Sequence, residues 1–314
     1  MLAAVYRLIP PLSPDGTVRR SLFSHFHKSI IIPLDNGYTS LAAVSRSRFQ
    51  IMSFAITFLG VGNAGAINSL GNAAAVLLQN DRPVLLIDCG PNAVDDYVQT
   101  FGALPGALFI THLHLDHIGG MERLFYNSWF ANGPAAIKLY VPASLVPRLH
   151  QRIGHYPSTL AEGGVNFWDG FHMIPVADDF WHQNLRFNVF PVRHHDYGSA
   201  YGLALRGAFF YSGDTRPVPE LMNVYASCGE TIFHDAALRG SPSHSGLDDI
   251  HREYTDDQQQ RIVLYHLEHP EAINQAQKYG FRVARRGETI ELQPRNGVGQ
   301  RKKSGSVTVL NANT

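Results

Sequence analysis

A chain of 314 residues has room for one large domain or two small ones, and 45% hydrophobic with 17% charged residues is ordinary globular composition. Lysine plus arginine and aspartate plus glutamate balance at 26 each, so no global field draws the protein onto nucleic acid or a membrane surface. No apolar run is long enough to span a bilayer, and two distant cysteines, Cys89 and Cys228, are expected as free thiols in a reducing, cytoplasmic compartment.

Residues 1–50 differ from the rest. Arg7, Arg19, Arg20, Lys28, Arg46 and Arg48 face only Asp15 and Asp35, among many serines and prolines. A poorly ordered extension is expected, either a transit peptide or a stretch upstream of a true start at Met52. Residues 53–60 (SFAITFLG) alternate like a strand. The following Gly60-Val61-Gly62-Asn63-Ala64-Gly65 matches a dinucleotide fingerprint, with Asp88 at a suitable distance. That fingerprint needs a helix opening at its last glycine, whereas residues 66–72 read as a turn and 73–78 as the second strand of a hairpin.

Further strands are expected at 83–90, 107–111, 137–142, 185–192, 201–205, 208–211, 231–233, 261–265 and 289–292. Helices are expected at 95–102, from Gly120, from Leu247 and at 271–279. Residues 150–184 read as an aromatic loop region holding Tyr156, Phe167, Trp168, Phe171, Phe180 and Trp181, either a satellite hydrophobic cluster or a substrate wall. Residues 294–314 read as a disordered basic tail, leaving 51–293 as the folded domain. Strands in two batches with helices between and after suit two sheets packed face to face under outer helices, an α/β fold.

The densest chemistry is THLHLDHIGG at 111–120, with three imidazoles and a carboxylate within six residues, directly after an apolar strand. Extended backbone from His112 to His114 would aim both rings to one side, with Asp116 and His117 on the turn before the next helix. Nitrogen and oxygen donors without a thiolate suit zinc, and also manganese or iron.

The His112-x-His114-x-Asp116-His117 pattern resembles the signature of the metallo-β-lactamase fold superfamily. The resemblance implies a four-layer αβ/βα sandwich of two mixed sheets and two divalent metal ions. One ion would be held by His112, His114 and a strand-end histidine, His194 with His195 as its rival. The other would be held by Asp116, His117 and His266, with Asp214 bridging. Asp88 occupies the place of the carboxylate that orients a metal-bound imidazole. His234-Asp235 followed by His244 resembles the RNase Z and phosphodiesterase-like branch, in which such groups protonate the leaving oxygen; His244 is the expected acid, Asp235 its orienter, and His234 lies nearby. The Leu-Tyr-His-Leu-Glu-His stretch around His266 departs from the RNase Z ending, and no Gly/Pro-rich basic arm for transfer RNA is found.

The implied activity is hydrolysis of a nucleotide or RNA phosphodiester by a metal-bridging hydroxide, assisted by Asp116, His244, Asp235 and His234. Two cations against two ligand carboxylates leave net positive charge, which favours an anionic small molecule or nucleotide. Hydrolysis of a carboxyl ester, lactone or thioester on the same metals is the alternative, and a homodimer is compatible with either.

Overall fold

The structure, a computed structural model, describes residues 52–155 and 164–292. The expectations for residues 1–50, for 294–314 and for Tyr156 lie outside the described residues.

Strand β1 (Phe54–Gly60) returns through a single helical turn, α1 (Ile67–Leu70), as antiparallel β2 (Ala74–Gln79), and then β3 (Arg82–Ile87). Helix α2 (Ala93–Phe101) leads to β4 (Ala107–Phe109), parallel to β3. After α3 (Leu115–Ile118) and α4 (Met121–Asn132) comes β5 (Ile137–Pro142), and α5 (Val146–Leu149) precedes β6 (Phe171–Val176), both strands continuing the parallel run. The second sheet begins as an antiparallel meander of β7 (Asp179–His182), β8 (Leu185–Pro191), β9 (Tyr201–Leu205) and β10 (Phe209–Tyr211). Helix α6 (Pro219–Tyr225) carries the chain to β11 (Thr231–Asp235), α7 (Leu247–Glu253) and α8 (Asp256–Arg261) to β12 (Ile262–Tyr265), and α9 (Pro270–Lys278) to β13 (Arg282–Val283), all parallel to β10. Strand β14 (Thr289–Leu292) crosses back to pair with β1, giving two seven-stranded mixed sheets.

The alternation in β1 explains why all seven of its residues are buried. Phe54, Ile56 and Phe58 enter the core between the sheets, while Ala55 and Leu59 face the core under α2 and α4. Aromatic contacts join the sheets: Phe58 meets Phe233 edge-on at 5.4 Å, and Phe180 stacks on Phe109 at 5.8 Å. Helices cover both outer faces, so the layers are those of the expected αβ/βα sandwich.

Two expectations need correction. The described part of residues 150–184 is not mainly loop, because β6 and β7 lie there; β6 is half-exposed at its centre, so its apolar alternation is weak. Phe180 belongs to the inter-sheet core, whereas Phe167, Trp168 and Phe171 pack with Phe125 in the outer one. Residues 66–72, expected as a plain turn, hold the short helix α1, while the antiparallel β1–β2 pairing stands as expected. Among the described residues no helix is long and apolar enough to cross a membrane.

Candidate metal centre

The pairing directions place one kind of strand end on a common rim. Strands β8, β10, β11 and β12 run the same way, and their carboxyl ends present His194, Asp214, Asp235 and His266. In the facing sheet, parallel β3 and β4 end at Asp88 and His112. Backbone bonds stitch the rims together: the Tyr201 N–H donates to the Thr111 carbonyl at 3.0 Å, and the His266 N–H to Val61 at 2.7 Å. His114 is still extended (ψ 150°), and its ring lies 4.7 Å from that of His112. Asp116 and His117 sit on α3, whose backbone packs on the β3 turn so closely that a Cβ on Gly90 would lie 2.1 Å from the Asp116 carbonyl oxygen.

Ligand-capable atoms converge in two groups, each within 4.8 Å: His112, His114, His194 and Asp214 in one, Asp116, His117 and His266 in the other. Asp214 Oδ2 stands between them, 3.6 Å from His112 Nε2, 3.4 Å from His117 Nε2 and 3.2 Å from His266 Nε2. A third overlapping group joins Asp214, His244 and His266.

Most of the rings are held by Nδ1, which leaves Nε2 for the centre. His117 Nδ1 donates to Asp88 Oδ2 at 2.8 Å, and His194 Nδ1 to the Ser243 carbonyl at 2.9 Å. Thr111 Oγ1 donates to Asp88 Oδ2 at 2.7 Å, which leaves it able to accept from His112 Nδ1 at 3.1 Å. His244 Nδ1 donates to Asp235 Oδ2 at 2.8 Å, and His266 Nδ1 faces Asp235 Oδ1 at 3.2 Å. His114 is the exception, turning Nδ1 toward His194 Nε2 at 3.3 Å. Asp88 has φ +63° and His266 φ +70°, left-handed conformations that a side chain adopts only where its surroundings enforce them.

Burial and neighbouring imidazoles hold His112 well below its ordinary pKa, and burial brings His194 down to about 4, so both stay neutral. Burial also opposes charge on His117 and His266. There the carboxylates prevail: Asp214 and Asp88 raise His117 well above its ordinary value, and Asp214, Asp116 and Asp235 raise His266 to about 10. Asp214 is held well below the carboxylate range because His266, His117 and His112 outweigh its burial. The carboxylates thus demand positive charge. Buried Nε2 of His112, His117 and His266 and Oδ1 of Asp214 have no hydrogen-bond partner among the described residues, an arrangement that divalent cations would satisfy.

Of the rival histidines, His194 is buried within the first group, while His195 is exposed and outside it. Asp88 and Asp235 each reach an imidazole. His234 does not join the site: its Nδ1 approaches the Asp235 carbonyl at 2.6 Å and its Nε2 the Tyr254 hydroxyl at 2.7 Å. Successive residues of β11 point to opposite faces, so with Asp235 inward, His234 turns to α7. Sequence reasoning missed Thr111, which positions both Asp88 and His112, and Thr215, whose N–H donates to Asp235 Oδ2 at 2.9 Å. The missed Ser243 acts through its carbonyl, which no residue-type pattern signals.

Two mixed seven-stranded sheets flanked by helices, with imidazoles and carboxylates gathered on their shared rim, have the metallo-β-lactamase fold. The short form of human tRNase Z superposes with a TM-score of 0.55 at 20% identity, over 76% of this chain and 99% of that one. The profile of the family "Anti-Pycsar protein Apyc1" matches residues 54–290, and the chain belongs to that family. Relatives of that name occur in Paenibacillus xerothermodurans, 31% identical over 69% of this chain and 89% of theirs, and in Bacillus phage BSP38, 29% identical over 67% and 88%.

Proposed function

We propose that the chain is a dinuclear metal-dependent phosphodiesterase acting on a small cyclic nucleotide, with His244 as the acid that protonates the departing oxygen. The observation that carries this reading is the Asp235–His244 pair. Asp235 is fully buried and holds His244 Nδ1 at 2.8 Å, and His244 lines the same cleft as Asp116, Asp214 and His266. Burial works against charge on His244, but Asp235 outweighs it and raises the pKa, so the ring carries a proton more readily near neutrality. Expelling an alkoxide from a phosphodiester needs such an acid; opening an activated carboxyl ester needs it less, which places the ester, lactone and thioester reading second.

His112, His114 and His194 would hold one ion and Asp116, His117 and His266 the other, with Asp214 shared. The donor set suits zinc, with manganese or iron as substitutes. When bound, the ions supply Lewis-acid stabilisation of phosphoryl oxygens and a water acidic enough to attack near neutral pH. Asp88 and Thr111 fix the rings of His117 and His112, and Asp235 restrains His244 and His266 together. The clefts beside these residues, about 480 and 410 Å3, are of nucleotide size. The relatives' name, anti-Pycsar protein, supports a role of the same kind. We take residues 51–293 as the hydrolase domain, and the free Cys89 and Cys228 suit the cytoplasm.

The test is metal analysis joined to a substrate panel. Protein loaded with zinc or manganese should hold two ions per chain and turn over cyclic nucleotides and bis(p-nitrophenyl) phosphate far faster than lactones, thioesters or a cephalosporin. Preference for the carboxyl substrates would overturn the phosphodiester assignment, and one ion per fully active chain would overturn the dinuclear one.

A further inference from the structure

The larger cleft is lined by His112, His114 and His194 from the metal-facing groups and by Arg148, Gln151 and Arg152 from one continuous segment. Arg152 and His114 also line the second cleft, which contains His244. Arg152 is therefore the cation placed where both clefts meet. Elsewhere arginines grip acids: Arg123 pairs with Asp95, Arg193 with Glu220 and Arg286 with Asp96. Arg148 and Arg152 have no such partner among the described residues. Two guanidinium groups about one turn apart repel each other unless an anion lies between them.

The backbone under Arg152 is built to an unusual pitch. From His150 to Gly154 the chain forms a π-turn, closed by the His155 N–H donating to the His150 carbonyl at 2.6 Å. Such turns are rare and concentrate at functional sites. Trp168 holds this one: its Nε1–H donates to His150 Nδ1 at 2.6 Å, and its indole fills the space where a Gly154 Cβ would come within 2.7 Å. Asn166 in turn accepts from the Trp168 N–H at 2.9 Å. An exposed arginine thus rises from a clamped backbone.

We propose that Arg152, seconded by Arg148, grips the phosphate oxygens of the substrate that are turned away from the metal-facing residues. This rests on the phosphodiesterase reading and extends it to the part of the anion that His112, His114, His194 and Asp214 do not face. A guanidinium fork offers two parallel donors to two such oxygens, which an ammonium cannot match.

The test uses the full-length, metal-loaded protein with Arg152→Ala, Arg152→Lys and Arg148→Ala. Calorimetric titration with inorganic phosphate reads anion binding apart from turnover, and steady-state kinetics on a cyclic nucleotide read the reaction. Arg152→Ala should weaken phosphate binding and lower kcat/KM by about 10- to 100-fold each, at unchanged metal content and melting temperature. Lysine should restore part of the loss, and Arg148→Ala should show a smaller one. Phosphate affinity and kcat/KM within about twofold of the parent would overturn the proposal. If the parent turns over no phosphodiester, the functional reading fails alone; the phosphate titration still decides on Arg152.

Discussion

Replacing His244 by asparagine separates its proposed acid role from its structural one. The asparagine amide can still donate toward Asp235 Oδ2, which His244 Nδ1 now reaches at 2.8 Å, and Asp235 keeps the Thr215 N–H at 2.9 Å. The buried carboxylate therefore stays partnered, and little stability should be lost. What disappears is a proton donor whose pKa Asp235 had raised against burial. General acid catalysis contributes roughly 10²- to 10⁴-fold, so kcat on a cyclic nucleotide, whose leaving group is a ribose oxygen, should fall by about that much. On bis(p-nitrophenyl) phosphate the loss should stay below about tenfold, because p-nitrophenolate departs without a proton. Steady-state assays on both substrates, with metal analysis of each sample, give the comparison. Equal losses on both would mean that His244 acts otherwise, as a metal ligand in the group with Asp214 and His266, and undiminished turnover of the cyclic nucleotide would remove it from the chemistry.

Asp88→Asn removes the carboxylate charge and one of the two oxygens that accept from His117 Nδ1 and from Thr111, and should weaken metal retention about 10- to 100-fold in chelator competition; unchanged retention would deny Asp88 its orienting part. His234→Phe removes the bond to the Tyr254 hydroxyl and should destabilise the fold by about 1–3 kcal/mol in denaturant titrations while kcat stays near the parent's, whereas a large drop in kcat would return His234 to the site. The folded pKa of His266, about 10, lies above its unfolded 6.5. Its contribution to the stability of chelator-treated protein is therefore full below pH 6.5 and lost as pH rises through 10, so melts at pH 6 and 10 should differ in that direction. The same protons must leave when an ion binds, so calorimetry near pH 7.5 in buffers of different ionisation heat should show proton release, and none would contradict these charge assignments.

Much of the fold could be read because each strand ends on chemistry. Apolar runs stopping at Asp88, His112, Asp214 and His266 announce both the sheet and its rim, and β1 shows its two-sided burial in plain alternation. The reading failed where burial is partial, as in β6, and where two residues such as Arg282 and Val283 complete a sheet too briefly to form a pattern. Within the site, side chains that face the cleft were recognisable by type. The choice between His194 and His195 needed the φ of +55° that turns His195 outward, and His234 needed the phase of β11, which follows from pairing rather than from composition. Arg152 gave no signal at all, because its importance lies in the pitch of the turn beneath it.

Strand β14 pairs with β1 some 230 residues after β1 has left the ribosome, and Thr57 meets Thr289 there at 2.8 Å. Until that late partner emerges, β1 is the open margin of the first sheet, with Phe54, Ile56 and Phe58 alongside unmet amide and carbonyl groups. A nascent chain that stalls before residue 289 would expose this sticky border, so truncated products should clump rather than survive as smaller soluble enzymes.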